Sequence, residues 1–427
     1  MTRKREQMKQ PVYLEISLKL RLSSVRAASM LVTICLCIFA GIANGLFPVP
    51  LKAAAVVAID SHPLAFQTFK SVWVAVSGCV AATISMLVSR EPFVFSLWGV
   101  ASAAAWIPAG LSAIYAVPLT GMSGYIVVSC CTTTLVSFFI GWLLLGESMV
   151  RRTVFGHPFY AAPLYIVALL VGLVVLIVAP VARCTLGESP IAITDNEFDL
   201  LPKEVEVDGE APPLPVVTKR SWRSYALGVP FAMLGGICSS AQYLAVSIGK
   251  QRSLDACSSV APAATNSSSS PRVGTPACIS RVEEEFNVLG SWSASFGLSA
   301  VAITAFCWLV LICWRCACRV LWRVAAQTDL QRLPIVPSLH FRGLWKHATA
   351  ASFLWIAGFW LTTSAVLVGG NAIAMPAIVS TLVITSGAAG MIIYKEMVQT
   401  SVWNGVAWAV AALWTTIFAL LLANERV

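Results

Sequence analysis

Lys70 is the one charged side chain placed clearly inside a long apolar run, in HPLAFQTFKSVW from His62 to Trp73. An ion in a hydrocarbon interior is costly, so a residue held there marks a solute path or a relay by default. Lys70 lies about 10 Å into its run at about 1.5 Å per helical residue. Two readings follow. Its ammonium snorkels to the interface, or it lines a cavity and takes an anionic or hydroxyl-rich solute, with Gln67 one turn away. Glu147 and Glu396 stand at the ends of two apolar runs. There a gating role competes with helix-end anchoring or pairing to Arg151, Arg152 or Lys395. Lys52 and Lys250 join them as candidate gating charges. No Asp, Glu or His lies near the middle of any run, so a carboxylate proton relay is hard to build. That leaves a facilitator, or coupling through the end carboxylates or a counter-substrate.

Polar and aromatic side chains supply the remaining chemistry. The apolar face of a sugar ring stacks on an aromatic ring, while its hydroxyls need polar partners. Trp106, Trp355 and Tyr125 are the ring candidates. Trp292, Trp345 and Trp403, near run ends, read instead as an interfacial belt. Asn44 and Gln242 are amides in apolar surroundings and need partners. Hydroxyls crowd two runs, and Ser129, Thr133, Ser380 and Thr381 are the ones expected to face a cavity. The others are expected to bond back to their own helices or to allow close packing. Pro48, Pro50 and Pro376 are expected to break or bend helices and free carbonyls.

These residues sit in a chain of 427 residues, 58% hydrophobic and 11% charged. Soluble domains carry about 25% charged residues, so this chain could not cover a water-facing surface of its size. An ordinary soluble enzyme is excluded, as is a disordered or collagen-like chain. Ten apolar runs long enough to cross a bilayer start near Ala27, Pro63, Phe93, Gly121, Phe159, Ser224, Gly290, Lys346, Asn371 and Thr400. The first is longer than the apolar part of a signal peptide, and it is read as an anchor. The fold expected is all-α, polytopic, with ten transmembrane helices. The net charge of +9 sits in the tail and loops, where a lipid surface explains it, and no nucleic-acid partner is expected.

Residues 1–26 form a basic tail, and 27–182 hold the first five runs. Residues 183–223 carry eight of the 20 acids, with several prolines, and read as a flexible linker. Residues 224–427 hold the second five runs, with a Ser/Pro-rich loop at 251–285 and a basic loop at 315–346. Of the 13 cysteines, seven lie within runs and act as small apolar residues. Cys313, Cys316 and Cys318 form CWRCAC. A zinc site there lacks a fourth ligand, which leaves acylation near the membrane or a structural role. No metal or cofactor is expected.

The linker splits the runs five and five, and an internal repeat accompanies the split. Trp106 and Glu147 are 41 positions apart, as are Trp355 and Glu396. Between them Gly121 aligns with Gly370, Thr132 with Thr381, Ser137 with Ser386 and Gly141 with Gly390. Asn44 aligns with Gln242, and Lys52 with Lys250, at a second offset. An odd number of spans per repeat inverts the second copy, the plan of secondary transporters with a site between the halves.

The segment GMSGYIVVSCCTTTLVSFFIGWLLLGE from Gly121 to Glu147 resembles the drug/metabolite transporter superfamily. So do its partner from Asn371 to Glu396, ending SGAAGMIIYKE, and FPVPLK from Phe47 to Lys52. Together they are similar to the branch holding the transmembrane protein 144 family and the bacterial glucose and rhamnose permeases. The resemblance covers nearly all the spans and implies a 5+5 inverted repeat of the EamA-like kind and carbohydrate transport. The residues alone imply a small polar or amphipathic solute.

Orientation has opposing signals. With the N-terminus inside, 15 Lys and Arg fall inside and 13 outside, which decides nothing. The basic tail favours an inside N-terminus. The 251–285 loop looks external, with the sequon Asn266-Ser267-Ser268 and two cysteines, Cys257 and Cys278, able to pair. Weight on the tail gives an inside N-terminus as the expectation. The function expected is therefore transport by alternating access, with a carbohydrate as first choice and no enzymatic activity. Sugar phosphates, nucleotide sugars or nucleobase-like metabolites are the alternative, and a non-transporting scaffold is the last. The partners expected are that solute and the lipid bilayer, with a homodimer left open.

Overall fold

A computed structural model describes residues 30–52, 59, 62–154, 157–181, 222–260, 276–322, 336–393 and 402–425. The described residues are helical almost throughout. Helix α1 spans Met30–Leu46, followed by a 3-10 turn at Val49–Lys52. Then come α2 at Pro63–Val88, α3 at Leu97–Phe139 with a π-turn at Ile140–Leu144, and α4 at Ala162–Val181. Beyond the linker lie α5 at Trp222–Val260, α6 at Pro276–Glu285, α7 at Ser291–Trp322, α8 at Phe341–Gly369, α9 at Asn371–Ile393 and α10 at Val402–Ala423. Six of these are long and apolar enough to cross a bilayer, and four shorter apolar segments accompany them. Helices suit such a setting because they satisfy every interior backbone group within one segment. The architecture is compatible with an all-α, multi-pass membrane protein.

Several element boundaries differ from the sequence reading. Phe159 does not open a helix. It lies in β2, His157–Tyr160, paired antiparallel with β1, Arg151–Val154, with Arg152 opposite Phe159. The helix that follows starts at Ala162. Arg152 also pairs with Glu425, whose carbonyl accepts from Val150 N at 2.7 Å. This ribbon therefore ties down the end of α10. The loops at 251–285 and 315–346 are partly helical: α5 runs on to Val260, α6 fills part of the first, and α7 continues past Arg315 and Arg319. Pro376 does not break α9. It comes so early in the helix that one intrahelical bond, to the carbonyl of Ala372, is forfeited.

Helix α3 reverses direction along its length. Ser102 Oγ donates to the Gln242 carbonyl at 2.8 Å, and Ser137 Oγ bonds Ser240 Oγ at 2.7 Å. In a straight helix Ser102 and Ser137 would be about 50 Å apart. Here both reach the same turn of α5, so the two apolar segments Leu97–Ala113 and Val128–Leu144 are arms of a hairpin clasping α5. Leu119 and Thr120, near its bend, pack on Gly228.

The α2–α7 seam is polar in places: Ser71 Oγ meets Thr304 Oγ1 at 2.8 Å, and Trp308 Nε1 donates to Thr68 Oγ1 at 2.8 Å. At the start of α2, His62 Nδ1 accepts from Leu64 N at 3.2 Å. Burial, and secondarily the Arg315 charge, hold this imidazole below its ordinary pKa, in the neutral form able to accept.

Candidate solute-binding site

Lys70 projects from α2 into an aromatic corner and is 7% exposed. Its Nζ lies 4.6 Å from the ring of Trp355, 4.9 Å from Trp106 and 5.2 Å from Phe47. Each ring face attracts the ammonium by roughly 0.5–2 kcal/mol. Among the described residues no carboxylate pairs with it. The long apolar stem of lysine lets it reach this corner from the second turn of α2, but the rings come from three other places. Phe47 follows α1, Trp106 lies in the first arm of α3, and Trp355 lies mid-way along α8.

The rings form a stack. Trp106 and Trp355 face each other at 4.4 Å, Trp355 and Phe359 at 5.3 Å, and Phe359 and Phe296 at 4.5 Å. Trp355 and Phe359 are one turn apart on α8, which puts them on the same face. Asn44 on α1 borders this group. Its Nδ2 donates to Thr362 Oγ1 at 3.2 Å, and its amide lies where a Cβ on Gly358 would stand, 2.3 Å from Oδ1. A glycine at 358 is therefore what admits Asn44 to α8. Gln67 is buried one turn before Lys70, with Nε2 donating to Ser71 Oγ at 3.3 Å. The result is a buried cation against several ring faces, with two amides alongside.

The other candidates lie elsewhere. Gln242 is buried on α5, and its Nε2 has no partner. Tyr125 and Ser129 sit against Gly235 and Gly236, and Thr133 Oγ1 donates to the Gly236 carbonyl at 3.0 Å. All three belong to the clasp of α3 on α5. Ser380 and Thr381 donate to Pro376 and Ala377 of their own helix, at 2.7 and 3.0 Å. Lys250 is half-buried near the end of α5. Lys52 has its backbone in the 3-10 turn, but its side chain lies outside the described residues, as does all of Glu396.

Glu147 has a defined partner, and it is not a basic residue. Its Oε1 accepts from Asn371 N at 2.8 Å and its Oε2 from Ala372 N at 3.0 Å. A carboxylate from the end of α3 thus caps α9, where free amides and the positive end of the helix dipole favour negative charge. Gly370, with φ +76°, makes the sharp corner between α8 and α9. A Cβ there would stand 2.5 Å from Glu147 Oε2. Arg152, considered above as a partner for Glu147, is taken by Glu425.

Phe47, Phe296, Phe359 and Thr362 were not singled out from the sequence. Within apolar runs a Phe that lines a site and a Phe that faces lipid look alike. Asn371 carried a usable signal, an amide directly after Gly370 at the start of a run. No family model matches the chain, and no curated protein matches it.

Proposed function

We propose that the chain is a ten-span transporter of a small polar organic solute, a carbohydrate first, working by alternating access between two inverted five-helix halves. The reading takes the arms of α3 as two spans and counts α1, α2, α4, α5 and α7–α10 as the others. One observation carries it: Trp106 and Trp355, equivalent positions of the internal repeat, stack on each other at 4.4 Å, with Lys70 over both. Equivalent residues of an inverted repeat meet where the pseudo-twofold axis passes between the halves, and that is where such transporters bind solute. The resemblance to the drug/metabolite transporter superfamily supports the same arrangement.

Lys70 favours a second reading, an anionic solute such as a sugar phosphate, nucleotide sugar or nucleobase-like acid. A buried ammonium without a carboxylate calls for a counter-charge, and a bound solute would bring it. Uptake by purified protein in liposomes separates the two readings. The panel is neutral sugars against sugar phosphates, nucleotide sugars and nucleobases, with and without a pH gradient. Saturable neutral-sugar uptake that survives Lys70→Ala supports the carbohydrate. Anion uptake that falls at least tenfold in Lys70→Ala supports the second reading. Absence of flux from folded protein across the panel counts against transport and for a scaffold role.

A further inference from the structure

The two ends of the helical bundle carry cysteines in opposite states. At one end Cys257, in the last turns of α5, is bonded to Cys278 on α6, and Cys257 is 3% exposed. Both partners of this bond are held by independent contacts. Ser96 Oγ donates to Glu285 Oε1 at the end of α6, at 2.7 Å, and Asn287 Nδ2 donates to Glu91 Oε2 at 2.6 Å. Phe286 stacks on Trp292 at 5.5 Å, Gly249 packs on Trp98, and Arg252 lies 5.9 Å from the Trp98 ring. The folded chain therefore brings the two sulfurs together as part of a built subdomain.

At the other end, Cys313, Cys316 and Cys318 occupy the last turns of α7 and are free, with Cys313 and Cys316 exposed. Helix α7 links the two sets. It starts at Ser291, beside the disulfide-bearing subdomain, and Cys316 is about 38 Å further along its axis. A bilayer core is about 30 Å thick. In a membrane the two sets of cysteines lie on opposite sides.

We propose that the α6 end faces an oxidising compartment, the extracellular space or an organelle lumen, and that the Cys313–Cys318 end faces the reducing cytosol. Disulfides persist in the first setting and thiols in the second, and both sets of cysteines agree on one orientation. In forming the bond, Cys257 and Cys278 lose two protons and two electrons. The acceptor is the disulfide of a thiol oxidoreductase in that compartment, which leaves as a dithiol. A Lys and Arg difference of 15 against 13 does not compete with this.

The contacts extend the assignment to other elements. Asn287 also reaches Ser85, in the last turn of α2, so α2 ends on the oxidising side and begins at the cytosol. Trp73 Nε1 donates to Thr349 Oγ1 at 2.9 Å, and Phe69 lies 5.6 Å from Phe341. These contacts place the start of α8 at the cytosol and Gly370, with its Glu147 cap, on the oxidising side. Phe47 beside Lys70 gives the end of α1 to the cytosolic half. Helix α1 therefore begins on the oxidising side, opposite to what the basic tail suggests. Lys70 lies about 10 Å from the cytosolic end of α2. The orientation does not depend on what the protein transports.

Full-length protein in cells, exposed to a membrane-impermeant maleimide and mapped by peptide mass spectrometry, tests this. After permeabilisation of the plasma membrane alone, Cys316 is expected to be labelled, and Cys257 and Cys278 are not. Those two are expected to react only when a reductant is present and the reagent reaches the oxidising side, in intact cells if that side is extracellular and after internal membranes are dissolved if it is a lumen. In Cys257→Ser, which leaves Cys278 a free thiol, Cys278 is expected to react without reductant but only from the oxidising side. Labelling of Cys257 or Cys278 in the wild type without reductant would overturn the proposal. So would protection of Cys316 until internal membranes are dissolved.

Discussion

Two windows of this chain share a sequence pattern and differ in shape. From Trp106 to Glu147 the backbone is helical through Gly121 and reverses within one helical run. From Trp355 onward the helix ends at Gly369, Gly370 turns the chain at φ +76° and a new helix starts at Asn371. Gly121 aligns with Gly370, yet among the described residues the glycines with positive φ are Gly146 and Gly370. The difference is tied to the capping carboxylate. In the second window, the first amides of the new helix are met by Glu147, which comes from the first window. A break in a helix is stable when its orphaned amides are satisfied. The pair of windows thus teaches that a glycine permits a corner, while a carboxylate from the other window holds it.

The largest effect that sharpens this comparison is expected at the stacked tryptophans. Trp355→Ala removes contacts to Trp106, Phe296 and Phe359, while Trp106→Ala removes those to Trp355 and Phe296. Losses of about 3–5 kcal/mol are expected for such truncations, larger for Trp355, measured by unfolding in detergent. Equal losses would mean that the column is not centred on α8.

Next comes the glycine pair. Gly370→Ala forces a Cβ into a left-handed corner and onto Glu147, so a loss of about 2–3 kcal/mol is expected. Gly121 lies in backbone assigned to helix beside the bend of α3, where the intrinsic preference for alanine over glycine is about 1 kcal/mol, so Gly121→Ala is expected to cost less than Gly370→Ala. Comparable damage at both positions in thermal unfolding would erase the difference between the windows. Glu147→Ala, which strips both amides of their acceptor, is expected to cost about 1–3 kcal/mol. Glu147→Gln, with one oxygen left to accept, should recover part of that loss. If the two variants unfold alike, the carboxylate is not what holds the corner.

The smallest effect separates the two aligned amides. Asn44→Leu removes one of the two side-chain partners of Thr362, itself 1% exposed, and leaves Tyr243 as the other, so a loss of about 1 kcal/mol is expected. Gln242→Leu removes a buried amide nitrogen that had no partner, so no loss or a slight gain is expected. Unfolding midpoints that rank the two variants the other way would show that Gln242 has a structural role and Asn44 does not.

Much of the helical layout was legible in the sequence because a bilayer demands long apolar runs, and those can be counted. Lys70 stood out because a charge in such a run is rare. Trp106 and Trp355 stood out because the repeat singled them out by position. Legibility failed where every option was equally apolar. Nothing in the types of Phe47, Phe296 or Phe359 separates a ring beside a site from one beside lipid. Hydroxyls failed for a related reason: Ser380 and Thr381 satisfy themselves on their own turns, a choice set by rotamer and neighbour. The ribbon at residues 151–160 was hidden because Phe159 and Tyr160 adjoin a true apolar helix.

Composition and spacing by themselves pointed to a helical chain with runs long and apolar enough to cross a bilayer, two windows of similar pattern and one out-of-place cation. Those properties are additive along the chain, so they can be read one residue at a time. Tertiary structure alone decided which ring meets which, that Lys70 lies over Trp106 and Trp355, that Glu147 caps α9, and that Cys257 reaches Cys278. Each of these joins residues from separate helices. Their contact depends on crossing geometry and on the small residues that let helices approach, and no local pattern encodes it.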